Sequence, residues 1–331
     1  MIPNQDLIKI GDNENQIIKF LQDLIIKPRV DIRYWSEITK QTPTLKIGYI
    51  GQHLSSLILG MEGGRTGARG HDIIDGTEVK SCTKVDQSDK CKDCNERLMR
   101  SETVCFNCGS ENIKRNDDSK WLFSIRSLEE LNQYKQLDRV FLLISDYPYF
   151  RENDFTSVRF EAFEIYPKNE RMKNFNHLID NHYNNIYLPK INNGQKTNPM
   201  NLHPYMIQFY LCNPIKIFSC IIKDIDTKPD IKIHKFITPS EDRTNLESEK
   251  MPVVLLNYNE LIGFINDNDF DTIVKPNLRN ANQTKEQLLS SIKKDKKTWF
   301  ENIPYLNEVA KNTISLRDIV SITQGTNYTR S

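Results

Sequence analysis

The sequence predicts a mixed α/β fold interrupted by a metal-stapled insert, and three observations carry that prediction. Residues 140–144, VFLLI, form a continuous apolar run of the kind found in a strand buried on both faces. Two earlier stretches carry apolar residues at helical spacing: Ile17, Leu21, Leu24 and Ile25 in the first, Ile50, Leu54, Leu57 and Ile58 in the second. Between these helices and the buried strand lie two CxxC pairs, Cys91–Cys94 and Cys105–Cys108, with ten residues between the pairs.

Composition bounds the function classes. At 331 residues the chain accommodates about two domains. With 27% charged residues and a mean hydropathy of -0.58 it has the make-up of a soluble globular protein. The formal charge of +1 excludes a uniformly polybasic binder, so any nucleic-acid surface must arise from local clustering. No apolar run approaches a membrane span, and the opening MIPNQD lacks the basic and apolar regions of a secretion leader. A cytoplasmic protein without a membrane partner is expected.

Taken in order, the first helix covers 13–26 and Pro28 should stop it. A polar loop at 38–46 leads into a second helix over Gly48–Leu59, ended by Gly60. Its Gln52 is a candidate to orient a water or a phosphate. The loop at 62–70, EGGRTGARG, places Arg65 and Arg69 where they can meet phosphates. Asp75-Gly76 then signals a hairpin between 71–74 and a strand holding Glu78, Val79 and Lys80. Strand alternation puts Glu78 and Lys80 on one face and Val79 in the core. A three-residue loop, Ile74-Asp75-Gly76, would set Asp72 opposite Glu78, with their carboxylates within roughly 5 Å, and leave Asp75 in solvent. Two carboxylates at one edge suit Mg²⁺, which binds hard oxygen ligands and retains water, with Lys80 beside the attacking water.

Cys91, Cys94, Cys105 and Cys108 have the spacing of a closed tetrahedral zinc site, whose role is structural. The residues between the pairs suit the short hairpin of a zinc ribbon. Cys82, Cys212 and Cys220 fall outside this pattern. Beyond the insert a strand resumes at 119–125, and Ser127-x-x-Glu130 forms a capping box opening a helix with Leu128, Leu131 and Leu137. Further strands are expected at 139–145, 157–166, 205–212, 215–222 and 231–238. His177 and His182 are five apart, a poor helical ligand pair, and read as surface residues or at best phosphate contacts. An Asn-, Gly- and Pro-rich stretch at 191–204 marks a boundary. Residues 275–297 are the basic cluster, seven cations against Glu286 and Asp295. One helix there, with Leu288, Leu289 and Ile292 buried, would turn Lys293, Lys294, Lys296 and Lys297 toward DNA. The domains read as a helical region at 1–45, a catalytic domain at 46–195 with the insert at 88–118, and a strand-rich then helical region at 196–331 for DNA recognition or dimerisation.

Residues 69–82, RGHDIIDGTEVKSC, resemble the PD-(D/E)xK nuclease motif, with Asp72 as the first acid and Glu78-Val79-Lys80 as the ExK. The proline is absent and the gap between the acids is short. The element order around it is the αβββαβ layout of the restriction-endonuclease core. The succession of GHDIIDGTEVKSCTKVDQSDKC, CxxC…CxxCGS, DDSKWLFSIRS and LLISDYP is similar to the MamI family of type II restriction endonucleases over about residues 45–220. That resemblance implies a bacterial homodimer cutting double-stranded DNA with Mg²⁺ at an interrupted palindrome, half-sites GAT and ATC across four unspecified pairs. It implies a cognate DNA methyltransferase as system partner without a stable complex. Asp72, Glu78 and Lys80 carry over as catalytic residues, Asp72, Glu78 and the Val79 carbonyl as magnesium ligands, and the four cysteines as zinc ligands. The alternatives are a structure-specific repair or transposition nuclease of the same fold, which would smear a long duplex, and a non-catalytic zinc-ribbon DNA-binding protein, which would leave DNA intact in Mg²⁺.

Overall fold

The computed structural model describes residues 1–39, 48–64, 71–85, 87–100, 102–116 and 118–314. Helix α1 (Asn13–Leu21), a π turn (Gln22–Ile26) and helix α2 (Lys27–Thr39) follow one another without a break. Pro28 therefore does not stop the helix. The Lys27 N–H bonds the Gln22 carbonyl five residues back, and this widened turn relieves the clash a proline ring makes with the preceding turn. The same turn carries Leu24 off the apolar stripe: Ile17, Leu21 and Ile25 are buried, but Leu24 is 41% exposed. Helix α3 (Gly48–Leu59) has the expected bounds and buries Leu54, Ile58 and Leu59.

Strand β1 (Thr77–Thr83) is followed by the three short strands of the cysteine insert, β2 (Ser88–Cys91), β3 (Arg97–Met99) and β4 (Ile113–Lys114), which form a separate sheet in the order β3-β2-β4. Then come β5 (Trp121–Phe123), α4 (Leu128–Gln136), β6 (Arg139–Asp146) and β7 (Val158–Ile165). The chain continues through α5 (Lys173–His182), α6 (Leu188–Asn192), β8 (Met200–Leu202), α7 (Ile207–Leu211), β9 (Ile215–Lys223) and β10 (Asp230–Phe236). It proceeds with β11 (Met251–Pro252), α8 (Tyr258–Asp267), α9 (Lys285–Ser291), α10 (Lys296–Asn302), β12 (Tyr305–Leu306) and α11 (Glu308–Thr313).

The principal sheet has five strands in the order β1-β6-β7-β9-β10. β1 runs parallel to β6, with Val79 beside Phe141, whereas β6 and β7 are antiparallel, as are β9 and β10. The sheet is mixed and the fold is mixed α/β. Every residue of β6 is buried, as its apolar run predicts. Parallel neighbours need a long crossover, and the chain between β1 and β6 supplies it with the cysteine insert and α4.

Contacts divide the chain into two interleaved units. The first comprises Met1–Trp121, Leu137–Tyr166 and Lys216–Thr244, and the second Leu122–Gln136, Pro167–Ile215 and the chain from Asn245 onward. The first unit is built on the five-stranded sheet. A buried ionic cluster locks its register: Arg139 Nη1 lies 2.9 Å from Glu164 Oε1, and Arg243 and the Tyr166 hydroxyl reach the other oxygen at 3.3 and 2.6 Å. The three charged groups are 4% exposed or less, so each needs the others to offset the cost of leaving water.

Three local expectations are corrected. The 71–74 arm is not a strand; it makes one antiparallel bridge, Ile73 to Gly63, in which the Gly64 N–H donates to the Asp72 carbonyl and the Ile74 N–H to the Glu62 carbonyl. β5 does not join the principal sheet but pairs with β8 in a two-stranded one. Residues 207–211 are a helix, not a strand. All five are buried, and an apolar run buried on every side has no period to betray it. The capping box before α4 is also altered: Ser127 Oγ accepts the Glu130 N–H, but the Glu130 carboxylate accepts from Arg126.

Candidate functional site

The turn before β1 has three residues. Ile73 N–H donates to the Thr77 carbonyl at 3.2 Å, and Gly76 N–H to the Ile73 carbonyl at 3.1 Å. Gly76 closes it at φ +89°, a conformation a Cβ would strain. On β1, Val79 faces the core, while Glu78 and Lys80 lie half-buried on the other face with Nζ 2.5 Å from Oε1. The Asp72 carboxylate meets β1 at the edge that, among the described residues, no strand occupies. Its Oδ2 accepts the Val79 N–H at 2.8 Å, and its Oδ1 accepts from Gln52 Nε2 at 2.8 Å. A strand residue directs its N–H and C=O to the same side, so the Val79 carbonyl belongs to this edge as well. Gln52 reaches Asp72 because α3 sits close against β1: a Cβ at Gly51 would overlap the Ser81 side chain.

Burial holds the Asp72 carboxyl above the ordinary carboxylate range. The Val79 N–H pulls the other way, the Glu78 charge adds to the rise, and Lys80 and His71 oppose it. A cation at this edge would relieve both the desolvation and the repulsion between the acids. The available donors are all oxygens, which fits a hard divalent ion. Asp75, expected in solvent, is instead 14% exposed and 2.5 Å from Arg139 Nη2, while its Oδ1 caps the Thr77 N–H at 3.1 Å. The physical reason is register: Arg139 lies beside Thr77, and a buried guanidinium draws in the nearest carboxylates.

The second constellation is the cysteine cluster. The four sulfurs lie within 4.8 Å of one another, with Cys91–Cys108 at 3.6 Å and Cys94–Cys105 at 3.5 Å. Four thiolates roughly 2.3 Å from one ion would sit about 3.8 Å apart, so the set fits a tetrahedral metal. The two halves repeat the same turn. Asn95 and Gly109 follow the second cysteine of each pair at positive φ, 66° and 73°, and donate to the carbonyl of the first at 3.1 and 2.8 Å. The Glu96 backbone N–H lowers the Cys94 thiol to about 6. Cys108, despite the Ser110 N–H, is pushed up to about 12, chiefly by the hydrogen bond with Cys94. The insert is anchored by Asp89, which is buried and pairs with Arg100 at 3.2 Å and Arg115 at 2.9 Å. Among the described residues this is the one group of three or more His, Cys, Asp or Glu ligands close enough to share a metal ion.

The other candidates are dispersed. Arg65 and Arg69 lie outside the described residues. Lys293, Lys294, Lys296 and Lys297 are exposed in the second unit, but not on one helix: Lys293 and Lys294 lie between two short helices, and Lys296 and Lys297 open the second. The capping box of Thr284 with Gln287 starts α9, and Asp295 caps α10, so the break falls at 292–295. Leu288 and Ile292 are buried there and Leu289 is half-buried. His182 is buried rather than on the surface, and burial lowers its pKa. Gln52 contacts Asp72 itself, a role that no spacing in the sequence signals.

Fold and side chains together define a mixed α/β protein with two separate candidate metal centres, one of oxygen ligands at an open strand edge and one of four thiols. The profile of the MamI restriction endonuclease family matches residues 34–254, and the chain belongs to that family. Over 79 residues it is 32% identical to the Type II restriction enzyme MamI of Microbacterium ammoniaphilum, a stretch covering 23% of this chain and 26% of that protein. The match thus spans about a quarter of the curated relative. No solved structure matches the chain. Among the described residues no helix is long and apolar enough to cross a membrane.

Proposed function

We propose that the chain is a type II site-specific endodeoxyribonuclease that hydrolyses double-stranded DNA with Mg²⁺, built on a restriction-endonuclease-like core with a structural zinc ribbon. The observation that carries this reading is the Asp72 carboxylate held between Gln52 and the Val79 N–H at the free edge of β1, on the strand that bears Glu78 and Lys80. Asp72, Glu78 and the Val79 carbonyl are the groups that would hold Mg²⁺. When bound, the ion neutralises charge on the phosphate and on the leaving 3′ oxygen.

The chain's own residues do the rest. Gln52 and the Val79 N–H fix the Asp72 carboxylate, and Glu78 holds the Lys80 ammonium at the same edge. Lys80 orients the attacking water in line with the phosphorus and faces the oxygen on which charge develops. Cys91, Cys94, Cys105 and Cys108 would hold Zn²⁺ with no coordination position left open, so the ribbon supports the fold rather than the chemistry.

A homodimer on a palindromic site, GAT and ATC half-sites across four unspecified pairs, follows from the family reading. An exposed apolar surface on α2, Val30, Tyr34, Trp35 and Ile38, is available for a second copy. The cognate partner is a DNA methyltransferase without a stable complex, in the bacterial cytoplasm. Catalysis is assigned to 46–195, recognition or dimerisation to 196–331, and support to 1–45. Digestion of a long unmethylated duplex in Mg²⁺ tests the reading. Discrete fragments with one sequence at their ends are expected; intact DNA or an unresolved smear would overturn it.

A further inference from the structure

The outer face of the cysteine insert carries a row of cations that the chemistry at β1 does not use. β2 alternates strictly, with Asp89 and Cys91 buried and Ser88 and Lys90 exposed. The buried side packs Cys91, Leu98 and Ile113 around the thiols. On the outer side Lys90 lies directly opposite Arg97 of β3 and, across its other edge, directly opposite Lys114 of β4. Directly opposed residues share a sheet face with Cβ atoms about 5 Å apart, and like charges there destabilise the sheet. All three side chains are exposed, and none makes an ion pair among the described residues. A row of three cations abreast is costly for a ribbon whose only task is to hold a metal.

The row borders a groove of about 640 Å³ that Asn95, Arg115 and Asn116 also line. Two carboxylates reach this groove, but neither neutralises the row. Asp89 is buried and engaged by Arg100 and Arg115, and Asp118 pairs with Lys120 at 3.1 Å. We infer that the β3-β2-β4 face is a phosphate-backbone contact surface for duplex DNA, engaged together with the Asp72 edge. The insert belongs to the same unit as β1 and begins a few residues beyond it. From Glu78 to Thr83 a strand rises roughly 17 Å at about 3.3 Å per residue. That is on the order of five base pairs at ~3.4 Å per step, so the face would grip the duplex beside the cut rather than at it. Backbone contacts position a protein without reading bases, so this surface contributes affinity and register, not sequence preference.

The inference rests on the nuclease reading, and the experiment separates the two. The zinc-loaded full chain is titrated with a duplex bearing its cleavage site and with a mixed-sequence duplex, without Mg²⁺ and over a salt series. The same titration is run on the triple variant Lys90→Gln, Arg97→Gln, Lys114→Gln. The variant should bind both duplexes about ten- to hundredfold more weakly at low salt, with its salt slope shallower by roughly two to three, at ~0.9 for each phosphate it no longer neutralises. Its zinc content should stay at one per chain, and Lys90→Arg with Lys114→Arg should bind like the unaltered protein. If the triple variant loses zinc, the single Lys90→Gln change is read instead, with a slope shallower by about one. Unchanged affinity and slope in a zinc-loaded variant would overturn the inference. Failure of the nuclease reading looks different: the unaltered protein then cuts no duplex in Mg²⁺, whatever the salt slopes show.

Discussion

The acidic edge of β1 and the cysteine cluster are two candidate cation sites built on opposite plans. The thiols come from two copies of one short turn, stand 3.5–3.6 Å apart in pairs, and match the four positions of a tetrahedron. The oxygens come from a turn and a strand, are steadied by a helix, and face an edge that no strand covers among the described residues. A closed soft site returns its binding energy to folding, whereas an open hard site keeps positions for water and substrate. The difference teaches that the exposure of the donors and the room around them, rather than the capacity to hold a cation, distinguish the two sites.

The largest expected effect breaks one site and spares the other. Asp72→Ala, Glu78→Ala or Lys80→Ala should each lower single-turnover DNA cleavage by ~10³-fold or more, with secondary structure and cysteine-bound metal unchanged. Cleavage by Glu78→Ala within tenfold of the unaltered rate would place the chemistry elsewhere. The converse substitution, Cys91→Ser or Cys105→Ser, should take the metal content from one zinc per chain to none and melt the ribbon first. Both sulfurs are buried at 0 and 1% exposure, so elemental analysis and a thermal scan decide the matter together.

Asp75 sharpens the contrast, since it neighbours the acids without belonging to them. Asp75→Ala removes one of the two carboxylates paired with the buried Arg139 and should cost about 2 kcal/mol, lowering Tm by several degrees. Cleavage per folded molecule should stay within tenfold, and an inactive but equally stable protein would make Asp75 a catalytic acid. Gln52→Ala removes one of the two groups fixing Asp72 and should reduce cleavage about tenfold, an effect that Gln52→Glu would deepen by adding charge. A rate equal to the unaltered one would make that hydrogen bond dispensable.

The smallest effect is one of stability and has a definite sign. Burial raises the Asp72 pKa in the folded state, so its contribution is most favourable below the unfolded value of 3.8 and is lost as pH rises through the folded one. Asp72→Asn removes that penalty and should be inactive yet slightly more stable at neutral pH. The difference should vanish below the unfolded pKa. Mg²⁺ should raise the Tm of the unaltered protein and not of the variant. A variant that is less stable at neutral pH would mean that its hydrogen bonds outweigh its desolvation.

Much of this was legible in the chain because the physics involved is local. The four cysteines close their cluster through turns of five residues, so spacing alone identifies which side chains come together. Glu78, Val79 and Lys80 sort onto two faces by strand alternation, and Gly76 marks the three-residue turn by the backbone conformation it supplies. The run at 140–144 announces a doubly buried strand, and 48–59 a helix, by apolar pattern. Tertiary structure decided what depends on distant neighbours. Arg139 captured Asp75 and drew it out of solvent from the far end of a crossover. Gln52 became a support for Asp72 because Gly51 lets a helix approach β1. The 207–211 run became a helix because burial on every side erases the period that separates helix from strand. The alignment of Lys90, Arg97 and Lys114 exists only in the register of three strands, since single residues scattered over one insert become neighbours only when backbone hydrogen bonds set them side by side.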